Sequence, residues 1–131
     1  MLELTDLHYK PATSERAILQ GASLKAQEGS PLLISGESGS GKTTLFHIIM
    51  GLLTPLSGTI EAFGTVRQRE RDFVEVRRRI GLLFQDADDQ LFSPTVREDV
   101  AFGPLNLGRS QTQARAAAES TLAALGLEHL A

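Results

Sequence analysis

The sequence predicts an α/β fold organised around a loop that joins a buried strand to a helix. Three observations carry that expectation. Pro31-Leu32-Leu33-Ile34-Ser35 is a short continuous apolar run, the pattern of a strand buried on both faces. A glycine-rich stretch from Gly36 to Gly41 follows at once, and a helical pattern opens near Lys42 and closes at Gly51. A second run of the buried-strand kind, Ile80-Gly81-Leu82-Leu83-Phe84, ends in Gln85.

The remaining elements follow in order. Leu2, Leu4 and Leu7 with Tyr9 alternate as a strand does, and Ile18-Leu19 with Ser23-Leu24 predict a second strand. Lys10 to Glu15 between them has turn composition. After the first helix, Ser57-Gly58 reads as a turn and Thr59-Ile60-Glu61-Ala62-Phe63 as an alternating strand. Six arginines (Arg67, Arg69, Arg71, Arg77, Arg78 and Arg79) interleave with Glu70, Asp72 and Glu75, which predicts a solvated helix face laced with ion pairs. A nucleic-acid patch is the sharper alternative, but no aromatic residues are interleaved for stacking. Ser93-Pro94-Thr95 with Glu98 predicts a capped helix start, and Gly103-Pro104 should stop or kink that helix. Ser110 to Leu125 is an alanine-rich helical stretch. No internal repeat or low-complexity linker interrupts the chain.

At 131 residues the chain is one domain's worth of polypeptide, and 41% hydrophobic with 22% charged residues is ordinary for a soluble globular protein. Thirteen basic against sixteen acidic residues leave a formal charge of -3, which argues against nucleic acid as the main partner. Cysteine is absent, which excludes disulfides, zinc–thiolate sites and thiol catalysis. The opening Met1-Leu2-Glu3-Leu4 has no basic region before an apolar stretch, so no secretory leader is expected. The most apolar run, Leu45 to Leu53, is broken by His47 and Gly51 and is too short to cross a bilayer.

The strongest chemical signal is Gly36-Glu37-Ser38-Gly39-Ser40-Gly41-Lys42-Thr43-Thr44, a full G-x-x-x-x-G-K-[ST] match. A loop that wraps a polyanion needs main-chain amides pointing inward, here those of Gly39 to Thr44, and glycines that permit close approach. The helix behind it aims its positive end at the same phosphates. Lys42 adds a full charge near the β- and γ-phosphates, and the Thr43 hydroxyl is placed to ligate Mg²⁺. A flexible Gly/Ser turn that happens to contain lysine is the bland alternative. Average residue usage yields the pattern by chance in roughly one such chain in several hundred, so phosphate binding is the expectation.

With these residues in place, the sequence resembles the ATP-binding subunits of ABC transporters. The loop with Ser38 and the paired Thr43-Thr44, the link Leu52-Leu53-Thr54-Pro55-Leu56-Ser57-Gly58, and the stretch Gly81 to Gly103 (GLLFQDADDQLFSPTVREDVAFG) carry the likeness over nearly the whole chain. It is most similar to the subunits that energise cobalt/nickel importers and energy-coupling-factor vitamin importers. The resemblance implies a P-loop NTPase fold: an incomplete ABC ATP-binding domain, with a β-subdomain and the start of the helical subdomain across residues 1–131. It implies ATP and Mg²⁺ as ligands. Gly36, Ser38, Gly39, Ser40, Gly41, Lys42, Thr43 and Thr44 would then hold the triphosphate.

Tyr9 falls where the family stacks an aromatic ring on adenine; a strand tyrosine on a core edge is the alternative. Gln85 matches the glutamine that approaches Mg²⁺ and the attacking water, and it is expected with Lys42 in the catalytic set; otherwise it only ends a strand. The implied partners are transmembrane transporter subunits and a second ATP-binding subunit in a head-to-tail dimer, with a location on the inner face of the cell membrane. Asp86, Asp88 and Asp89 read first as a solvated turn, then as a Mg²⁺-binding aspartate of a simpler P-loop kinase or GTPase, and last as a Ca²⁺ site. His8, His47 and His129 have no ligand spacing.

The family's signature sequence, its Walker B strand with a catalytic glutamate, and its switch histidine have no counterpart in these 131 residues. The reading is therefore of a truncated product or a fragment of a longer chain, either catalytically incomplete or a nucleotide-binding remnant. Weak nucleotide binding, poor hydrolysis and an exposed apolar sheet edge are expected of it.

Overall fold

A computed structural model describes residues 1–86 and 90–130 of the chain, which fall into two compact units, 1–82 and 83–131. In the first unit, strands β1 (Leu2–Tyr9), β2 (Leu19–Ala26), β3 (Ser57–Ala62) and β4 (Thr65–Val66) form a four-stranded sheet in the order β2-β1-β3-β4. Every pairing in it is antiparallel. Leu4 sits opposite Leu24 on one side and Ile60 on the other, so one face gathers aliphatic side chains. Helix α1 (Lys42–Ile49) lays Leu45, Ile48 and Ile49 into the same core, and α2 (Phe73–Arg79) adds Phe73 and Val76. The spacing of three and four residues on α1 puts its buried side chains on one stripe.

Two expected strands do not form. Residues 31–35 and 80–84 have no strand pairing, and Leu33 and Leu83 are 90% and 80% exposed. A strand exists only where a neighbour supplies its donors and acceptors, and none of the described residues does so here. Ile34 and Ile80 still pack against the core without joining a sheet.

Gly58 is a third departure. It stands inside β3, not in a turn, with φ 100. A Cβ there would come within 2.5 Å of the Asp6 carbonyl oxygen and 2.7 Å of Leu7 Cα. The glycine allows β3 to cross closely over the irregular pairing of β1 between Thr5 and His8.

The arginine-rich stretch also folds differently from a uniformly solvated face. It begins with a single 3-10 turn, Glu70–Asp72, before α2. Arg67 is buried, donating to the carbonyls of Ala62 and Asp72 and pairing with Glu75 at 2.7 Å. A buried guanidinium is stable only when its donors are satisfied, and these three partners do that. The expected ion pairs do lace the rest: Arg77 with Glu70 and Arg79 with Glu75, and Arg79 also lies 3.6 Å over the Phe63 ring.

In the second unit α3 (Val96–Asn106) packs against α4 (Gln111–Leu125). The expected Thr95–Glu98 pairing caps α3, with Thr95 Oγ1 accepting the Glu98 backbone N–H at 3.3 Å, but Pro94 precedes the cap and is not in the first turn. The helix runs two residues beyond Pro104 to Asn106, and is not stopped at Gly103. Ser110 and Gln113 form a reciprocal capping box at the start of α4. Ala114, Ala118 and Leu122, four residues apart, are its buried stripe, and Gly126 closes it at φ 69.

The Gly58 contact predicts that Gly58→Ala lowers unfolding stability by roughly 2–4 kcal/mol, through strain at a positive φ plus a backbone clash. A denaturant titration with an unchanged midpoint would contradict this.

The stretch before α2 also sets a pH response. Backbone N–H groups of Arg69 and Gln68 hold the Asp72 carboxyl below its ordinary 3.8, and the hydrogen bond from Arg67 holds Glu75 below 4.5. Because the folded values are the lower ones, their stabilisation is complete above the unfolded values and is lost as pH falls through the folded ones. The melting midpoint should be flat above about pH 5.5 and fall toward about pH 3, with a shallower fall in Asp72→Asn.

Candidate functional site

Residues 36–40 run exposed along the surface, and the half-buried Gly41 turns the chain into α1. The turn is made by Gly41, the residue before the helix, whose φ of 96 is left-handed. A Cβ on Gly41 would lie 2.8 Å from Ile18 Cγ2 and 3.1 Å from Leu19 Cδ2, so the loop rests directly on the start of β2. A Cβ on Gly36 would likewise meet Ser40 Oγ at 2.9 Å. The loop keeps this close path because both positions are glycine.

At the helix start no side chain caps α1, and no acidic residue occupies its first turn. The amides of the first turn are therefore open donors at the positive end of the helix. Gly41 O accepts the Leu45 N–H at 2.9 Å, and Leu45, Ile48 and Ile49 anchor the helix in the core. Lys42 is half-buried, and its Nζ donates to Gly36 O at 2.8 Å, Glu37 O at 2.7 Å and Ser40 Oγ at 3.2 Å. The ammonium thus draws the loop's own acceptors around itself. Thr43 is exposed and Thr44 half-buried on the first turn.

This donor set fits an anion of several phosphates: main-chain amides, one ammonium and no competing carboxylate on the helix. Among the described residues no cluster of three or more His, Cys, Asp or Glu side chains could hold a metal ion. A magnesium ion here would rest on the Thr43 hydroxyl and on phosphate oxygens, the mode that this reluctantly dehydrated cation favours.

The other candidate residues are placed as follows. Tyr9 ends β1 opposite Leu19, half-buried against the core edge, and its carbonyl accepts the Ile18 N–H at 2.8 Å. Tyr9, Ile18 and Gly41 are thereby linked through one short contact path. Gln85 lies in an exposed bend and Asp86 beside it is exposed, both in the second unit. Asp88 and Asp89 lie outside the described residues. His8 pairs with Asp6 at 3.1 Å, and His47 lies on α1.

Two features were invisible in the sequence. Ile18 backs Gly41, and a cavity of about 230 Å³ beside Gly39 and Ser40 is lined by Ser14, Arg16 and Gln20. Positions 14–20 and 36–41 share no motif, and only the fold brings them together.

Comparison with known proteins places this arrangement in context. The family described as ABC transporter matches residues 19–131. A putative ABC transporter ATP-binding protein of Nitratidesulfovibrio vulgaris is 53% identical over 128 residues, covering 98% of this chain and 47% of that protein. A cobalt import ATP-binding protein, CbiO, of Syntrophus aciditrophicus is 38% identical over 128 residues, covering 98% of this chain and 46% of that protein. Among solved structures, cbiO1 from Clostridium perfringens, part of the ABC transporter complex cbiONQ, superposes with a TM-score of 0.82 at 33% identity, over 98% of this chain and 51% of that one. The chain spans about half the length of these relatives.

Proposed function

The chain belongs to the ABC transporter family, and from that premise we propose that it is the nucleotide-binding portion of an ATP-binding subunit that energises import across a membrane. The observation that carries the proposal is the glycine-backed loop with open amides and a converging ammonium ahead of α1. ATP is the ligand this loop fits.

In this reading the amides of Gly39 to Thr44 bind the β- and γ-phosphate oxygens, with Gly36, Ser38 and Ser40 shaping the rim. Lys42 exchanges its loop carbonyls for phosphate oxygens and offsets their charge. The Thr43 hydroxyl holds Mg²⁺, which supplies charge neutralisation across the phosphates. Thr44 continues the amide ring. The Tyr9 ring supports the adenine base from the edge of the core. Gln85 completes the metal and water shell and links it to the membrane subunit.

Family members hydrolyse ATP, but hydrolysis needs a group that positions and deprotonates the attacking water. We propose that this chain supplies the nucleotide-binding part of that chemistry through Lys42, Thr43 and Gln85. The partners proposed are transmembrane subunits and a second ATP-binding subunit, at the inner face of the membrane. No helix among the described residues is long and apolar enough to cross a membrane itself. Cobalt, nickel or a vitamin is the proposed cargo class, supported by the cobalt import relative. Family membership weighs against a kinase or GTPase that uses Asp86 on magnesium.

Calorimetric titration with Mg-ATP tests the proposal. Lys42→Ala should weaken binding at least about tenfold, given that hydrogen bonds to charged groups are worth roughly 1.5–3 kcal/mol. Gln85→Ala should weaken Mg²⁺-dependent binding more than Asp86→Ala does. Equal affinities for wild type and Lys42→Ala would remove the basis of the reading, and a dominant Asp86 effect would revive the kinase or GTPase alternative.

A further inference from the structure

Helix α1 has eight residues, so about 12 Å of rise separates its open first turn from its carbonyl end. At that far end the carbonyls of Phe46, His47 and Ile48 accept from Met50, Gly51, Leu52 and Leu53, where the chain turns away. The Met50 carbonyl accepts from Arg77 Nη1 of α2 at 3.1 Å, a contact between residues 27 apart in sequence. The second amino group of Arg77 pairs with the Glu70 carboxylate, so the guanidinium fork is held from two directions. The Arg77 side chain is only 30% exposed, a partly desolvated position in which such bonds are stronger than on an open surface. A cation thus stands at the negative end of the helix whose positive end faces the phosphate loop.

A second contact meets the same end of α1. Phe73 lies one turn before Arg77 on α2, on the same side of the helix. Gly51 has φ 70, and a Cβ there would come within 2.3 Å of Phe73 Cγ, so the buried ring rests on the Gly51 main chain. This steric contact resists approach of α2 to the end of α1, and the Arg77 hydrogen bond resists their separation. Leu45, Ile48 and Ile49 hold α1 by apolar contacts, which are non-directional and tolerate sliding along the helix axis. A hydrogen bond to one carbonyl is directional and does not. An α-helix transmits an axial shift along its length, so a displacement at Met50 reappears at Lys42 and Thr43.

We propose that Arg77 is a positioning residue for polyphosphate binding, which sets the axial position of α1 through the Met50 carbonyl. The inference rests on the phosphate-loop reading, since α1 is the helix behind that loop. Arg77 touches no phosphate; it acts through the helix, with Glu70 and Phe73 fixing its own place. Arg67 and Arg79 of the same stretch are occupied elsewhere, the first by Ala62, Asp72 and Glu75, the second by Glu75 and the Phe63 ring. Because the helix serves every ligand of the loop, the contribution of Arg77 is the same for ATP and for pyrophosphate.

The test is calorimetric titration of wild type, Arg77→Met, Arg77→Lys and Lys42→Ala with Mg-ATP and with Mg-pyrophosphate, at a temperature where melting shows each variant folded. Arg77→Met should bind both ligands about fivefold more weakly, and Arg77→Lys, which keeps the charge without the fork, should fall between it and wild type. In the ligand-free protein, the amide chemical shifts of Gly41 to Thr44 should differ between Arg77→Met and wild type. A role in stability alone would lower the melting midpoint and leave the affinities and those shifts unchanged. Wild-type affinity in folded Arg77→Met overturns the assignment, as does a loss for ATP without one for pyrophosphate. Should Arg77→Met not fold, wild-type affinity in Arg77→Lys overturns it and a weakened affinity for both ligands upholds it. If Lys42→Ala loses binding while Arg77→Met does not, the Arg77 proposal fails alone. If Lys42→Ala binds as wild type, the loop reading itself has failed.

Discussion

The site depends on one close contact: the backbone of Gly41 lying on the side chain of Ile18. The contact leaves no room for a Cβ, and the left-handed φ of 96 at Gly41 would strain any other residue. From it follow the direction in which α1 leaves the loop, the exposure of its first-turn amides, and the position of Lys42 relative to the Gly36 and Glu37 carbonyls. Ile18 in turn is held by Tyr9 at the end of β1, whose Leu4 and Leu7 are in the core. The chain of causes thus runs from aliphatic packing in an antiparallel sheet to the geometry of an anion cradle.

Local signals were readable wherever a short-range interaction decides the structure. The cap of α3 uses a hydroxyl three residues from the amide it accepts, so Thr95 with Glu98 could be recognised from sequence, and Ser110 caps α4 in the same way. Gly51 likewise takes the left-handed conformation expected just past α1, at φ 70. The phosphate loop was legible for the same reason, since its glycines, lysine and threonines are contiguous.

What was not legible depends on partners distant in the chain. The runs at 31–35 and 80–84 have the composition of buried strands, but pairing is supplied by other segments, and composition cannot say whether they are there. Gly58 has turn composition around it, yet the deciding fact is the approach of Asp6, fifty-two residues earlier by number. Arg67 looked like one more solvated cation. It is buried because the Ala62 and Asp72 carbonyls and the Glu75 carboxylate converge on it, a coincidence of β3, the 3-10 turn and α2. The cavity at Arg16 is of the same kind, since Ser14 to Gln20 meets Gly39 and Ser40 only in the fold.

The central claim is that main-chain donors around Gly39 to Thr44, steadied by Ile18 and Lys42, grip a polyphosphate. Backbone amide chemical shifts on addition of pyrophosphate with Mg²⁺ test it most directly, because they report on each donor separately. The account predicts large, saturable shifts at Gly39, Gly41, Lys42, Thr43 and Thr44, with α4 amides unmoved. Shifts absent from this loop, or spread evenly over the exposed arginines of the 67–79 stretch, would contradict it.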